Sequence, residues 1–247
     1  MSEKIIDTHH VREVYNNPLM IAYYTDAVNE MGILKSEAYL FQKNLNCEDR
    51  ILDIGCGAGR VTIALHDMGY RNIVGIDIAG GMIEKAVSLC ENIEFAVGDA
   101  TDLQFDDETF DGAIFSFNGL MLIPGSDRRL TALKEINRVL KKKGILILST
   151  PYLDNKLESQ FWRLEKARWK NNKQDERLYE FGDLLLEDFG IEDIYIHIPK
   201  ISEIEECLKI VGFVGVEHSR RLDICLEEDS IEDQLDDGLF WIAEKSS

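Results

Sequence analysis

The segment Asp53-Ile54-Gly55-Cys56-Gly57-Ala58-Gly59-Arg60 joins a strand-like run to a helix-like pattern, and this junction indicates the fold. The run before it, Arg50–Ile54, is short and apolar. After it, apolar residues recur at helical spacing, at Val61, Ala64, Leu65 and Met68. Glycine is needed where the chain turns sharply and a ligand must approach the backbone. The stretch therefore predicts a strand, a tight glycine turn and a helix.

The spacing of the glycines limits what this turn can bind. A dinucleotide-binding turn has the pattern G-x-G-x-x-G, with a small third residue where the helix packs on the strand. Here Arg60 stands at the sixth position, which disfavours an NAD site, and no G-K-[ST] follows, which excludes a P-loop. A tight turn without a ligand is an alternative, but three glycines behind an acidic residue cost chain entropy with no gain in packing.

The rest of the chain alternates between apolar runs and amphipathic helical patterns. Further strands are predicted at Asn72–Asp77, Ile93–Val97, Phe110–Phe117 and Gly144–Ser149, and Lys141, Lys142 and Lys143 are predicted to end the helix before the last of these. Such alternation is typical of a doubly wound parallel sheet covered on both faces. Phe213–Ser219 and Leu239–Glu244 are predicted as an antiparallel pair, because the acidic connection between them is too short for a crossover helix.

The interruptions of this alternation suggest how one domain of 247 residues is organised. Residues 1–46 are predicted to form a helical cap, residues 47–151 the ligand-binding core, and residues 199–247 the C-terminal helix and strand pair. Residues 152–198 form an insert rich in aromatic and charged residues, which we predict to be a lid. Within it, Ile194, Ile196 and Ile198 alternate with Tyr195 and His197, which predicts one half-buried strand.

Composition restricts the class of protein and its partners. The net charge is −19 and the pI about 4.6, which disfavours nucleic acid as a partner because binding phosphates needs clustered Lys and Arg. The five cysteines are widely spaced without C-x-x-C, which indicates a reduced protein with no disulfide framework, and neither they nor the histidines have metal-ligand spacing. No signal peptide or membrane-spanning run is recognisable. We predict a cytoplasmic monomer or homodimer without a metal.

The order of motifs resembles that of class I S-adenosylmethionine (SAM)-dependent methyltransferases. D-x-G-C-G-x-G at 53–59 resembles motif I of the family, Asp77 ends the second strand in VGIDIAGGM, and Asp99 follows the third in VGDAT. FDGAIFSFNGLM covers the fourth strand, and LKEINRVLKKKGILILST resembles the next helix and the fifth strand. The resemblance covers residues 45–150. It implies a Rossmann-like sheet of seven strands with the last antiparallel, SAM as cofactor, and S-adenosylhomocysteine (SAH) as product.

The resemblance also implies which residues hold the cofactor. Asp53 and the glycine turn would face the methionine portion, and Asp77 would accept hydrogen bonds from both ribose hydroxyls, since a carboxylate offers two acceptor oxygens. Asp99 would accept from the adenine amino group, and the Ala100 amide would donate to the ring. The implied cofactor-binding set is Asp53, Gly55, Cys56, Gly57, Asp77, Ile78, Met82, Asp99, Ala100, Thr101, Phe115, Ser116 and Tyr15, in which Ile78 and Met82 would sandwich the adenine.

The acceptor is expected beside the fourth strand and beneath N-terminal tyrosines. Candidate acceptor contacts are Tyr23, Tyr24, Phe117, Asn118, Met121 and Trp162. Many relatives carry a histidine or other polar group after this strand, whereas Met121 and Leu122 stand there in this chain, so no catalytic base is identified. The resulting hypothesis is methyl transfer to a small molecule. Alternatives are a non-catalytic SAM- or SAH-binding module, methylation of a protein or tRNA, and aminopropyl transfer from decarboxylated SAM.

Overall fold

Nine strands and ten α-helices are present in the computed structural model, which describes residues 6–154, 156–188, 190–232, 235 and 237–247. The strands are β1 (Ile51–Ile54), β2 (Ile73–Asp77), β3 (Glu94–Val97), β4 (Phe110–Phe115), β5 (Leu140–Thr150), β6 (Asp183–Asp188), β7 (Ile191–His197), β8 (Phe213–Arg220) and β9 (Leu239–Lys245). The helices are α1 (Thr8–Tyr15), α2 (Pro18–Asp26), α3 (Lys35–Asn44), α4 (Arg60–Asp67), α5 (Gly80–Leu89), α6 (Ser126–Val139), α7 (Gln160–Lys170), α8 (Ile201–Ile210), α9 (Arg221–Ile224) and α10 (Asp229–Glu232).

Seven strands form the central sheet in the order β3-β2-β1-β4-β5-β9-β8. The strands β1 to β5 pair in parallel, with Ile51 opposite Ile73 and Gly112 opposite Ile145. β9 runs antiparallel to both of its neighbours, β5 and β8. This topology confirms the predicted doubly wound sheet with an antiparallel last strand.

Both faces of the sheet are covered, and the alternation of β1 assigns its side chains to opposite faces. Leu52 and Ile54 pack in the cluster formed with α6 and α8. Ile51 packs on the other face, with Phe41 of α3 and Leu65 of α4. All four residues of β1 are buried, as expected for a central parallel strand.

The predicted helical cap consists of α1, α2, a short π-helix at Ala27–Met31, and α3; its first five residues lie outside the described ones. The first turn of α1 and the segment just before it are tied to the insert by two hydrogen bonds. The Tyr179 hydroxyl donates to the Ile6 carbonyl at 2.6 Å, and His10 Nε2 lies 2.8 Å from the Asp193 carbonyl. Cap and insert are therefore joined directly.

Two sequence-based predictions need correction. The insert contains a two-stranded antiparallel sheet, β6–β7, where one strand was expected. Lys141, Lys142 and Lys143 do not end α6 but begin β5 beside an irregular register. The reason is an ion pair between neighbouring strands, because Lys141 Nζ in β5 donates to both carboxylate oxygens of Asp111 in β4 at 2.8 Å. This local pairing outweighs the weak attraction of cations to a helix end.

Within the described ranges, no helix combines the length and the apolar character needed to cross a bilayer.

Candidate functional site

A cleft lies at the carboxyl ends of β1, β2 and β4, where the strand order reverses. Open α/β sheets bind their ligands at this position. It contains about 810 Å³ of empty space, including its open mouth. Most residues predicted to hold a cofactor line this strand-end cleft: Tyr15, Gly55, Gly57, Asp77, Ile78, Met82, Asp99, Ala100, Phe115 and Ser116.

The glycine turn is shaped by backbone angles that other residues rarely adopt. Gly55 has φ +65° and Gly57 has φ +56°, both in the left-handed region. A Cβ on Gly55 would also lie 3.0 Å from Cε2 of Phe115. The Gly57 amide donates to Asp77 Oδ2 at 2.9 Å, which fixes the turn against the end of β2. The turn therefore presents bare backbone beside a carboxylate.

Asp77 is held by backbone amides but retains acceptor capacity. Its Oδ1 accepts from the Ala79 amide at 2.8 Å, in addition to the bond from Gly57. Burial raises the pKa of Asp77, and the amides of Ala79, Gly57 and Ile78 oppose that rise. A carboxylate offers about four lone-pair positions. Asp77 can thus accept further hydrogen bonds from a ligand in the cleft.

Asp99 supplies the second carboxylate in the wall of the cleft. Its Oδ1 accepts from the amide of Thr101 at 2.8 Å and from the Thr101 hydroxyl at 2.7 Å. Thr101 itself does not line the cleft but holds the Asp99 carboxylate in place. Ile78 and Met82 supply apolar surface between the two carboxylates. These two acceptors suit a ligand whose hydroxyl and amino groups donate hydrogen bonds on either side of an apolar ring.

Other predicted residues lie elsewhere. Asp53, Cys56, Thr101 and Met121 do not line the strand-end cleft. Asp53 has the parity of Ile51 on β1, so its side chain faces α4, where Oδ2 accepts from the Thr62 hydroxyl at 2.5 Å. Burial raises the pKa of Asp53 to about 7. Met121 is fully buried in the core cluster with Leu120, because the segment after β4 coils into a 3-10 helix at Gly119–Leu122.

Eight residues of the cleft wall were not predicted from the sequence. The missed residues are Thr8, Val11, Ile54, Gly98, Gly119, Leu122, Ile123 and Pro124. The signal for two of them was present, because Thr8, Val11 and Tyr15 follow the three- and four-residue spacing of one helix face. Thus α1 covers the cleft with a single face.

A second, larger cavity adjoins the cleft, and we call it the outer cavity. It contains about 1280 Å³ of empty space, and Phe117 lines both spaces. Tyr23, Asn118 and Trp162, predicted as acceptor contacts, line the outer cavity, whereas Tyr24 lines the cleft. Its remaining walls come from the end of β5, the insert, the cap and the C-terminal segment: Leu34, Glu37, Ser149, Pro151, Lys156, Phe161, Leu184, Leu186, Ile196, Ile198, Arg221, Leu235, Asp237, Gly238 and Phe240.

Two buried carboxylates, those of Glu37 and Glu227, hold α3 of the cap in place beside this cavity. Arg60 Nη1 and Nη2 each donate to one oxygen of Glu37 at 2.7 Å, and the Arg60 guanidinium lies 4.8 Å from the Phe117 ring centroid. Glu227 accepts from the amides of Lys35 and Ser36 at the start of α3. Arg60, which departs from the dinucleotide pattern, therefore connects α4 to the cap and to the wall shared by both spaces.

A separate polar cluster holds the β6–β7 hairpin. His197 Nδ1 lies 2.7 Å from Asp183 Oδ1, and Nε2 lies 3.1 Å from Glu203 Oε1. Burial alone would lower the pKa of His197, but hydrogen bonding to these two carboxylates outweighs it and raises the pKa. Glu180, Asp183 and His197 lie close enough to hold a metal ion, but Arg129 Nη2 already donates to Glu180 at 2.5 Å. A guanidinium supplies the positive charge in this cluster.

The middle of the chain matches a known family. Residues 51–144 match the family model of the methyltransferase domain. This segment is similar to a methyltransferase domain. The resemblance to class I SAM-dependent methyltransferases is thereby confirmed, and so is the Rossmann-like fold.

Curated relatives match this methyltransferase domain only over part of their length. A demethylmenaquinone methyltransferase of Staphylococcus epidermidis is 39% identical over 110 residues, which is 42% of this chain and 44% of the relative. The enzyme of the same name from Staphylococcus aureus is 39% identical over 104 residues, 40% of this chain and 41% of its own. The chain thus spans less than half the length of these relatives.

Solved structures resemble almost the whole chain. A SAM-dependent methyltransferase from Methanosarcina mazei has a TM-score of 0.67 at 25% identity, covering 84% of this chain and 97% of its own. Phosphoethanolamine N-methyltransferase 2 from Haemonchus contortus, solved in complex with SAM, has a TM-score of 0.67 at 15% identity, covering 96% of this chain and 60% of its own. The second likeness concerns the fold alone.

Proposed function

We propose that this protein transfers the methyl group of SAM to a small molecule bound in the outer cavity. The observation that carries the proposal is the strand-end cleft, in which Asp77 and Asp99 flank apolar surface beside a bare glycine turn. Oxygen acceptors on either side of apolar surface suit the ribose and the adenine of SAM. The shared wall at Phe117 then places the acceptor next to the cofactor.

Each lining residue has a definite role in this proposal. Asp77 accepts from the ribose hydroxyls, Asp99 and the Ala100 amide bind the edge of the adenine, and Ile78 and Met82 pack on its faces. When bound, SAM supplies a methyl group already activated by a sulfonium. Tyr15 and the rest of the inner face of α1 exclude water from the cleft.

In this proposal the residues that line the cleft orient the two reactants and do not transfer a proton. Among the described residues that line the strand-end cleft, Asp77 and Asp99 are the acidic ones, and histidine and lysine are absent. Both carboxylates are already engaged with backbone or threonine donors. Orientation of two reactants can itself contribute several kcal/mol, roughly 7–11 in well-aligned cases. The proposal therefore favours an acceptor atom that carries a free lone pair at neutral pH.

The relatives and the surface charge support a small molecule as the acceptor. The Staphylococcus relatives are named for demethylmenaquinone, although they match only the methyltransferase domain. The net charge of −19 disfavours RNA or DNA. Residues 152–198 cover the outer cavity through Phe161, Trp162 and Leu184, which supports their role as a lid.

Calorimetric titration with SAM and SAH tests the cofactor. We expect micromolar binding by the wild type and binding weaker by about ten- to hundredfold in Asp77→Asn, because one charged acceptor is lost. Asp67→Asn is the matched control, since Asp67 is an exposed carboxylate at the end of α4. Absence of binding to a folded wild type, or equal affinity in Asp77→Asn, would contradict the proposal.

A non-catalytic SAM- or SAH-binding module is the second candidate. The lack of a histidine or lysine in the described lining of the cleft favours it. Release of SAH in the presence of a panel of apolar acceptors separates the two functions. Product formation with any acceptor supports the enzyme, and tight binding of SAM with no product supports the module.

A further inference from the structure

The β6–β7 hairpin forms a wall of the outer cavity with one of its two faces. Leu184, Ile196 and Ile198 belong to the face that lines the cavity. Asp183 and His197 are paired across the two strands and alternate with these residues, so their side chains lie on the opposite face. A two-stranded sheet is at best marginally stable by itself. The order of this wall therefore depends on what holds the opposite face.

His197 lies at the centre of the contacts on that opposite face. Its side chain is fully buried. Nδ1 lies 2.7 Å from Oδ1 of Asp183 in β6, and Nε2 lies 3.1 Å from Oε1 of Glu203 in α8. A neutral imidazole has one N–H and one lone pair, so it would turn a lone pair toward one of these two carboxylates. The geometry therefore requires a proton on both ring nitrogens.

The groups around the ring favour this cationic form. Asp183 Oδ1 also accepts from the Tyr195 hydroxyl at 2.7 Å, and its Oδ2 accepts from two backbone amides. Arg129 of α6 lies 3.6 Å from Glu203. The charged and titratable groups around the ring are Asp183, Glu180, Tyr195, Glu203 and Arg129. Within the described part of the chain, this cluster sets three carboxylates against one guanidinium, so an imidazolium brings its charge closer to balance.

We propose that His197, as an imidazolium, is a positioning residue for the acceptor, because it fastens the cavity wall to α8. This inference rests on the proposed function, in which the outer cavity holds the acceptor. His197 lines neither the cleft nor the cavity, so it acts through the hairpin. When the ring loses a proton at alkaline pH, one of its two hydrogen bonds is lost and the wall loosens. The central sheet, which carries Asp77, does not include the hairpin and stays ordered.

Two measurements on the full chain test the inference without an acceptor. Nitrogen NMR of histidine-labelled protein reports whether both nitrogens of the His197 ring carry a proton at pH 7, as we expect. Hydrogen exchange followed by mass spectrometry, corrected for the intrinsic effect of pH, reports the order of residues 183–198. We expect protection of this segment to fall between about pH 7 and pH 9.5, while protection of β1 and β4 stays constant.

Three variants separate positioning from a purely structural role. His197→Gln should lower protection of the hairpin at pH 7 by about ten- to hundredfold and abolish its dependence on pH. Glu203→Gln should move the loosening to lower pH, because the ring loses one counter-charge. His218→Gln is the matched control and should behave as wild type, since His218 also lies near a glutamate of α8, Glu205 at 3.6 Å, but on β8 and partly exposed.

The functional consequence is a change in KM. With an acceptor that supports release of SAH, His197→Gln at pH 7 should raise the KM for the acceptor at least tenfold and leave the affinity for SAM unchanged. A neutral His197 ring at pH 7, hairpin protection that does not depend on pH, or loosening at the same pH in Glu203→Gln would each overturn the inference. The wild-type measurements decide the matter even where a variant fails to fold. Failure of SAM to bind, with the dependence of the hairpin on pH intact, would refute the proposed function and leave the role of His197 in the hairpin standing.

Discussion

Asp53 makes the stability of the protein depend on pH in a direction opposite to most carboxylates. Burial raises its pKa from a usual value of 3.8 to about 7, so the folded state keeps the proton while the unfolded state loses it. The free energy of unfolding should therefore fall as the pH rises from about 4 to about 7, and level off above that. A change of this size in proton affinity corresponds to a contribution of about 4 kcal/mol.

Asp53→Asn removes this titration but keeps an oxygen that can accept from the Thr62 hydroxyl. Relative to the wild type, the variant should gain stability with rising pH, from little gain near pH 4 to about 4 kcal/mol at pH 8. Urea unfolding followed by circular dichroism at a series of pH values measures the difference. Asp67→Asn serves as the exposed control. A difference between Asp53→Asn and wild type that stays constant over this range would refute the reasoning.

Two further perturbations test the packing around the site. Glu37→Gln leaves the buried Arg60 guanidinium without its counter-charge, and we expect the free energy of unfolding, measured with urea, to fall by about 3–5 kcal/mol. The double variant Glu37→Leu, Arg60→Met removes both charges and should lose less stability. Equal losses in the two variants would argue against the ion pair. Because the pKa of His197 is raised in the folded state, the protonated imidazole stabilises the fold below about pH 6.5, the pKa of an unfolded histidine. This stabilisation is lost as the pH rises through the pKa of His197 in the folded state. His197→Gln should consequently cost roughly 1.5–3 kcal/mol at pH 6 and less at pH 9, and a cost that grows with pH would contradict this sign.

The central strands and the strand-end carboxylates could be predicted from the sequence because both follow from local patterns. The apolar runs fix β1, β2 and β4, and residues at the carboxyl ends of parallel strands meet at one edge of the sheet. Asp77 and Asp99 therefore both line the strand-end cleft. The position of Asp53 was also available from strand alternation, which assigns it to the face of Ile51.

Apart from Tyr23, Phe117, Asn118 and Trp162, the walls of the outer cavity could not be predicted, because they come from segments far apart in the chain. Leu34 in the cap, Leu184 in the insert and Phe240 in β9 meet only after folding. The partner of Arg60 lies 23 residues earlier, in a helix with no signal for that pairing. β6 was missed because Leu184, Leu185 and Leu186 form a short apolar run without alternation, which periodicity alone does not assign to a strand.

The attachment of α1 has a kinetic consequence for the proposed enzyme. The helix lines the strand-end cleft, and its N-terminal end is hydrogen-bonded to the insert, through Tyr179 to Ile6 and through His10 to Asp193. Movement of this helix away from the cleft during cofactor exchange would break these hydrogen bonds to the insert, which also lines the outer cavity. Turnover would then be gated at the N-terminal helix, and a substitution that loosens it would speed the exchange while weakening the grip on the acceptor.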